Sequence, residues 1–424
     1  MPARLGPDLQ SPADLERLFA GVAEQARIGL AVSGGADSLA LMLLAARWAT
    51  GRGVRPRLKV YSVDHGLRPE AADEVAMVLS VAQSLGLDAQ GLVWAGPKPA
   101  SGVQEAARQA RYGLMADAMA RDGISVLLTA HHCDDQAETV LMRLAHGSGV
   151  DGLKGMTPFA RMGTITIHRP LLGVESTALH ALVREAGLTP AADPSNGDPH
   201  YERVRWRQAM PELARLGLDA ATLALFAERM GEVDVALTQM SDACFAELVT
   251  LDGFGSARIA LAPFIELGAA VSTRILGRVL NIVGGRQRPR ALGQVERLRQ
   301  TIVTQSLPRS TTGLGCVVRL KDGAILVARE PGRRQPDDAI LLPQGELVWD
   351  QRFRIINRSS DTDLTASVAE YLPRHRLEDI LGCRVTAPAE ALRTAPIVRD
   401  AAGGVLSLGG WSFDERIDVH LLVD

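Results

Sequence analysis

The sequence predicts an α/β protein: a doubly wound parallel sheet, then a helical middle domain and a small mixed α+β C-terminal domain. Three observations carry this. Residues 1–190 alternate short apolar, β-branched runs with amphipathic helical stretches. Strands buried on both faces read as continuous apolar runs, and the helices between them supply the crossovers of a parallel sheet. From about Pro211 to Thr304 apolar residues recur at three- and four-residue spacing, a helical period. Beyond, short runs such as GCVVRLKDGAILVAR are punctuated by Gly, Pro and Asp turns.

The elements follow in order. Strands are expected at Arg27–Val32, Leu58–Asp64, Gln90–Trp94 and Ser125–His131, with helices at Asp37–Ala49, Glu70–Leu85, Val103–Arg121 and Asp134–Ala145. A fifth strand at Thr164–His168 and a helix at Thr177–Ala186 complete the unit, and the Gly- and Pro-containing stretch 191–201 closes it. The expected domains are residues 1–210, 211–304 and 305–424. In open α/β sheets ligands bind beyond the carboxyl ends of strands, so the strand-to-helix turns hold the candidate sites.

Composition narrows the class. A chain of 424 residues exceeds one core, because single cores stop growing near ~250–300 residues. No apolar run approaches the ~20 residues that span a bilayer, and MPARLGPDLQSPADLERLFAGV lacks the basic end and apolar stretch of a signal peptide. A cytoplasmic protein without membrane contact is expected. Cys133, Cys244, Cys316 and Cys383 lie far apart with no C-x-x-C pair, which supports neither a metal cluster nor a disulfide framework. A net charge of −3 does not advertise nucleic-acid binding. Of 46 basic residues only Lys59, Lys98, Lys154 and Lys321 are lysine. A GC-rich coding sequence accounts for such an arginine bias, so local clusters must carry any RNA argument.

The first candidate site is IGLAVSGGADSLALMLLA, residues 28–45. A buried strand ends at Val32, and Ser33, Gly34, Gly35, Ala36, Asp37 and Ser38 lead into an apolar helix. Small residues let backbone N–H groups approach an anion, and the helix N-terminus adds partial positive charge. Ser33 and Ser38 add hydroxyl donors. Asp37 does not attract phosphate directly; it either caps the helix or holds a Mg²⁺ that bridges phosphates. No G-K-[ST] occurs, which excludes a Walker-type loop.

The second is SVLLTAHHCDDQAETVLMRLAHGSG, residues 125–149, with the same strand–turn–helix layout. Asp135 and Glu138 share a helix face near its start, and Asp134 and Glu138 can share one too. With His131 and His132 before them, these carboxylates suit an amine substrate or a metal.

Together SGGADS (33–38), SVDHGLR (62–68), AHHCDDQAET (130–139), GSGVDGLKGM (147–156), RPLL (169–172) and DPSNGDPHYERVRWR (193–207) resemble the tRNA(Ile)-lysidine synthases in order and spacing. The resemblance is specific over about 28–210 and weaker afterwards, where GGRQRPRALGQVERLR (284–299) resembles the family's C-terminal region. It implies a PP-loop (N-type) ATP pyrophosphatase domain followed by tRNA-binding domains. It further implies cleavage of ATP between its α and β phosphates, adenylation at C2 of the wobble cytidine (position 34) of the CAU-anticodon isoleucine tRNA, and displacement of AMP by free L-lysine. Carried over, SGGADS binds ATP with Mg²⁺ at Asp37, and Asp135 and Glu138 engage the lysine. His65, after the second strand, is expected near the nucleotide. Glu105, Arg108 and Arg111 line one side of a helix and match the family's E-x-A-R-x-x-R-Y, which favours a phosphate-facing Arg111. Arg203, Arg205 and Arg207 alternate as on an extended strand, with Trp206 facing the core, and suit the tRNA backbone. Clusters at 286–290 and 333–334 are further tRNA candidates. Two departures stand out: His146 where the family commonly has Arg, and Val204 where R-N-R-x-R carries an amide.

Competing readings make different demands. A tRNA thiolase needs paired or reactive cysteines. A glutamine-dependent ligase needs a glutaminase domain, and a non-catalytic tRNA-binding protein has no use for SGGADS with HHCDDQAET.

Overall fold

The computed structural model describes residues 8–52, 56–96, 98–99, 101–191, 198–285, 292–332, 336–369 and 372–423. The clusters at 286–290 and 333–334, and most of 191–197, lie outside them. Two units are distinguished, Met1–Asp234 and Val235–Asp424.

In the first unit the chain runs α1 (Pro12–Phe19), β1 (Arg27–Ala31), α2 (Ala36–Gly51), β2 (Arg57–Asp64), α3 (Ala71–Ser84), β3 (Asp88–Val93), α4 (Val103–Asp122) and β4 (Val126–Leu128). It continues through α5 (Cys133–Ala145), α6 (Val150–Leu153), β5 (Phe159–Met162), β6 (Ile165–His168), α7 (Ser176–Glu185), α8 (Glu202–Arg215) and α9 (Ala220–Leu248), whose residues from Val235 on belong to the second unit. The sheet order is β3-β2-β1-β4-β6-β5. All pairings are parallel except β5 with β6. Ile28, Leu30 and Val60 bury one face against α2, α3 and α7 through Leu39, Met42, Val78 and Leu179. Tyr61, Leu127 and Ile167 bury the other with Tyr112, Met115 and Met119 of α4. Helix α2 is buried along Leu39–Ala45, as a helix apolar on all sides must be.

The chain builds outward from β1 to β3, then returns to β4 on the opposite side of β1. The crevice between β1 and β4 is therefore the switch point where such sheets bind ligands. The strand expected at Ser125–His131 is shorter, Val126–Leu128, because Thr129 and His131 turn toward each other (Oγ1 to Nδ1, 2.8 Å). The hairpin strand β5 was not expected; its FARM sequence carries no apolar alternation.

Residues 203–207 are not extended. They form the first turns of helix α8, with Val204 buried and Trp206 half-buried. Arginine, glutamate, glutamine, alanine and methionine are strong helix formers, and ERVRWRQAM is rich in them. Alternating arginines imitated a strand's two-residue period. On the helix Arg203 and Arg207 share a face, whereas Arg205 points elsewhere.

In the second unit, strands Val249–Leu251, Ala257–Ala260, Ala324–Arg329, Cys316–Lys321 and Thr311–Gly313 form one five-stranded antiparallel sheet in that order. Helices Leu261–Glu266, Ala269–Gly284 and Leu292–Val303 cover it through Phe264, Ile275, Val279 and Ile302. This sheet crosses the border expected at 304: Ile259 pairs with Ile325, so helices and flanking strands share one core. The remaining strands form a five-stranded and a three-stranded sheet, with Trp349, Phe353, Leu364 and Val398 in their common core. Among the described residues no helix is long and apolar enough to cross a membrane. All four cysteines are free thiols.

Candidate active site

The loop after β1 is shaped by its glycines and serines. Gly34 has φ +87°, and a Cβ there would meet Met77 Cε at 3.2 Å. Ser38 Oγ accepts from Ser33 N (3.2 Å) and donates to Gly35 O (2.9 Å). Ala191 N donates to Gly34 O (3.0 Å) from outside the loop. Gly35 stands at the N-cap of α2 with no side-chain cap, which leaves amide donors of the first turn to a ligand.

The helix after β4 meets this loop. His132 Nε2 lies 3.6 Å from Asp37 Oδ2 and 3.5 Å from Asp135 Oδ2, and its Nδ1 lies 3.3 Å from Asp134 Oδ2. Burial opposes a charge on His132, but Asp134, Asp37 and Asp135 outweigh it and raise its pKa to about 10. Asp134 N donates to His132 Nδ1 (3.3 Å) in the capping box of α5, and Nε2 faces Asp37 and Asp135. Burial likewise opposes ionisation of Asp37, yet His132 and His180 hold its pKa below the usual aspartate value; His180 Nε2 is 3.2 Å from Asp37 Oδ1. Asp134 also accepts from Ser176 N (3.0 Å) and so caps α7. Its pKa is held well below the ordinary range by the His132 hydrogen bond, against burial. His131 is the opposite case: burial drives its pKa down to about 4, so two adjacent histidines hold different charge at neutral pH.

Glu138 is placed differently from a free ammonium ligand. Its side chain is 1% exposed and accepts from Arg207 Nε at 2.7 Å, with Arg203 Nε at 3.2 Å. Burial raises its pKa despite the two arginines. Arg203 also reaches Thr139 Oγ1 (3.3 Å). Arg205 donates to the carbonyls of Pro199 and His200 (both 3.1 Å) and lies outside this group.

His65 and Arg111 come together at the other side of the sheet, Nε2 to Nη2 at 3.0 Å. Burial, then Arg111, lowers the His65 pKa to about 4, so the neutral ring accepts from the guanidinium. His146 ends α5 and faces Glu202 of α8 (3.2 Å), which gives this departure a local partner. The GSGVDGLKGM segment is pinned from α5: Gln136 Oε1 accepts from Met156 N (2.7 Å), and Arg143 Nη1 donates to Gly152 O (2.7 Å) and Gly155 O (2.6 Å). Sequence reasoning missed Gln136, Arg143 and His180. The first two stand seven residues apart, on one face of a helix already singled out, a legible signal; nothing in the sequence ties His180 to Asp37, 143 positions away.

Among the described residues no group of three or more His, Cys, Asp or Glu gathers as a metal cage. A nucleotide-bound Mg²⁺ takes one or two carboxylates and completes its shell with phosphates and water, a demand that a carboxylate such as Asp37, its side chain 35% exposed, would fit.

Residues 7–213 match the PP-loop domain family. A tRNA(Ile)-lysidine synthase from Bradyrhizobium sp. (strain BTAi1) is 41% identical over 345 residues, covering 77% of this chain and 96% of that protein. Another from Rhodopseudomonas palustris is 42% identical over 335 residues, covering 76% and 96%. With this identity across both units, and with the phosphate loop and carboxylate helix facing each other at the switch point, the chain belongs to the tRNA(Ile)-lysidine synthase family.

Proposed function

We propose that the protein ligates lysine to C2 of the wobble cytidine of the CAU-anticodon isoleucine tRNA, at the expense of ATP. The observation that carries this reading is the contact of Asp37 with His132 (3.6 Å), which joins the phosphate loop to the carboxylate helix. ATP lies over Ser33–Ser38, with His65 on the nucleotide side. The C2 oxygen of the cytidine attacks the α-phosphorus and pyrophosphate leaves. The lysine ε-amine then attacks C2, and AMP departs with the oxygen. C2–O is a poor leaving group until it becomes a phosphate ester. Asp37 would hold a Mg²⁺, which would offset charge on the phosphates.

The ammonium of lysine is assigned to the Asp135 and Glu138 face of α5. Glu138 shares its charge with Arg203 and Arg207, so Asp135 carries the larger part. Arg111, Arg203, Arg205 and Arg207 are assigned to tRNA phosphates, and residues 211–424 to the rest of the tRNA and to rejection of methionine tRNA. The thiolase alternative is disfavoured: Cys133 is buried beside Asp134, and its thiol is pushed up to about 12 by burial first and that carboxylate second, which leaves it unreactive.

Pyrophosphate release with ATP and tRNA, lysine omitted, tests the reading. Release that depends on the isoleucine tRNA is expected. Release that needs lysine and no tRNA would mean that an amino-acyl adenylate forms instead.

A further inference from the structure

Arg169 follows β6 and is 8% exposed. Its backbone N donates to Pro158 O (2.8 Å) and its Nη1 to Thr157 O (2.7 Å), while its Nε is buried with no hydrogen-bond partner. Among the described residues no carboxylate pairs with it. Burial lowers its pKa, Tyr112 opposes this, and Arg108 and Arg143 add to it. Arg108 lies over the Tyr112 ring, 5.2 Å from its centroid. A buried guanidinium without a counter-charge is costly, and its planar fork suits a carboxylate or a phosphate.

The sheet places this group at the switch point. Strand β6 lies beside β4 in parallel, with His168 opposite Leu128, and Thr129 N donates to His168 O (3.0 Å). Arg169 is thus next to the turn that carries Thr129 and His131, at the carboxyl ends of both strands. His168 stacks on Phe159 (4.3 Å) on one face. Alternation sends Arg169 to the other, where Tyr112 and Arg108 of α4 stand. The His131 ring feels both signs: after burial, Asp135 and then Arg169 act on it most strongly. A carboxylate and a guanidinium around one histidine complement a molecule that carries an ammonium and a carboxylate. A phosphate favours this place less. Strand β4 stands between Arg169 and the phosphate loop after β1, and an internal tRNA phosphate, flanked by two riboses, does not reach so buried a group.

We propose that Arg169, with Arg108 at the rim, receives the α-carboxylate of the lysine substrate. The assignment rests on the lysine-transfer reading above and adds the carboxyl end to the ammonium already assigned to α5. It makes Arg169 a specificity-determining residue, because a diamine of the same length lacks the group that pairs with the guanidinium. The carboxylate takes no part in bond making at C2, so the contact acts on the KM for lysine more than on kcat.

Transfer by the full-length protein with cadaverine (lysine without its carboxylate) or lysinamide in place of lysine tests this. Wild type should prefer lysine to both by about tenfold or more in kcat/KM, the usual loss for one charge-assisted contact. Arg169→Gln should raise the lysine KM by a similar factor and leave cadaverine transfer unchanged, which closes the gap; Arg169→Lys should reopen part of it. The KM values for ATP and tRNA, and tRNA-dependent pyrophosphate release without lysine, should stay as in wild type, which also reports a folded site. Where Arg169→Gln does not fold, Arg108→Gln, at an exposed position, should narrow the same preference to a smaller degree. Equal use of cadaverine and lysine by wild type would overturn the proposal. So would a lysine preference that survives in these variants, or equal losses for lysine and cadaverine, which would leave Arg169 a structural role only. A raised KM for tRNA or ATP with the lysine preference intact would make the anion a phosphate. Lysine transfer by wild type reports on the reading above, so its failure is distinct from a missing preference for the carboxylate.

Discussion

Glu138 accepts a hydrogen bond from Arg207 Nε at 2.7 Å, with 1% of the glutamate side chain exposed against 46% of the arginine's. The pair fastens α8 to α5, beside the apolar contacts of Ala137, Val140 and Leu141 with Trp206 and Met210. Glu138→Ala should therefore destabilise the first unit and free both arginines. A double-mutant cycle with Arg207→Ala, read by denaturant unfolding, should give a coupling of about 1–2 kcal/mol, below the ~1.5–3 kcal/mol of a charged hydrogen bond because the arginine is half in water. Additive effects would mean the contact does not couple the helices.

Asp135 and Glu138 should differ kinetically. Asp135→Asn should raise the lysine KM well beyond the ATP KM, by about tenfold or more for one lost charge-assisted contact. Glu138→Gln acts also through Arg203 and Arg207, so it should disturb tRNA affinity as well as lysine. Steady-state kinetics with each substrate varied in turn checks this. Equal shifts for lysine and ATP in Asp135→Asn contradict the assignment.

Gly34→Ala should cost about 1–2 kcal/mol, the usual penalty for a side chain in the left-handed region, on top of the close approach to Met77 Cε. Thermal unfolding measures that cost. Nucleotide binding should fall further, because the loop amides lose their arrangement.

The His132 cluster predicts a pH signature. Its pKa is raised from 6.5 to about 10 in the folded protein. The unfolded chain then releases that proton first as pH rises, so the stabilisation is complete below about pH 6.5 and is lost through pH 10. His65 and His131 run the other way: with folded values near 4, they cost stability as pH falls from 6.5 toward 4. Unfolding free energies of wild type and His132→Gln should converge as pH rises toward 10. A constant difference across that range contradicts a charged His132.

Much of this was legible in the sequence. The parallel strands were, because each is a run of apolar residues bounded by a turn, a local property. So was the crevice, since SGGADS and HHCDDQAET each close a strand. Two things were not. Arg203, Arg205 and Arg207 have a strand's period in a helix former's composition, and only packing of α8 on α5 through Trp206 and Glu138 selects the helix. The pairing of Ile259 with Ile325 joins segments 66 residues apart, and no local pattern announces a non-local partner.

The central claim is tested most directly by incubating the protein with ATP, labelled lysine and transcribed tRNAs, then asking which tRNA carries the label. Lysine is expected on the CAU-anticodon isoleucine tRNA, with AMP and pyrophosphate formed in equal amounts, no label on methionine tRNA, and loss of all three products in Asp37→Ala. Label on neither tRNA, or transfer that persists in Asp37→Ala, would contradict it.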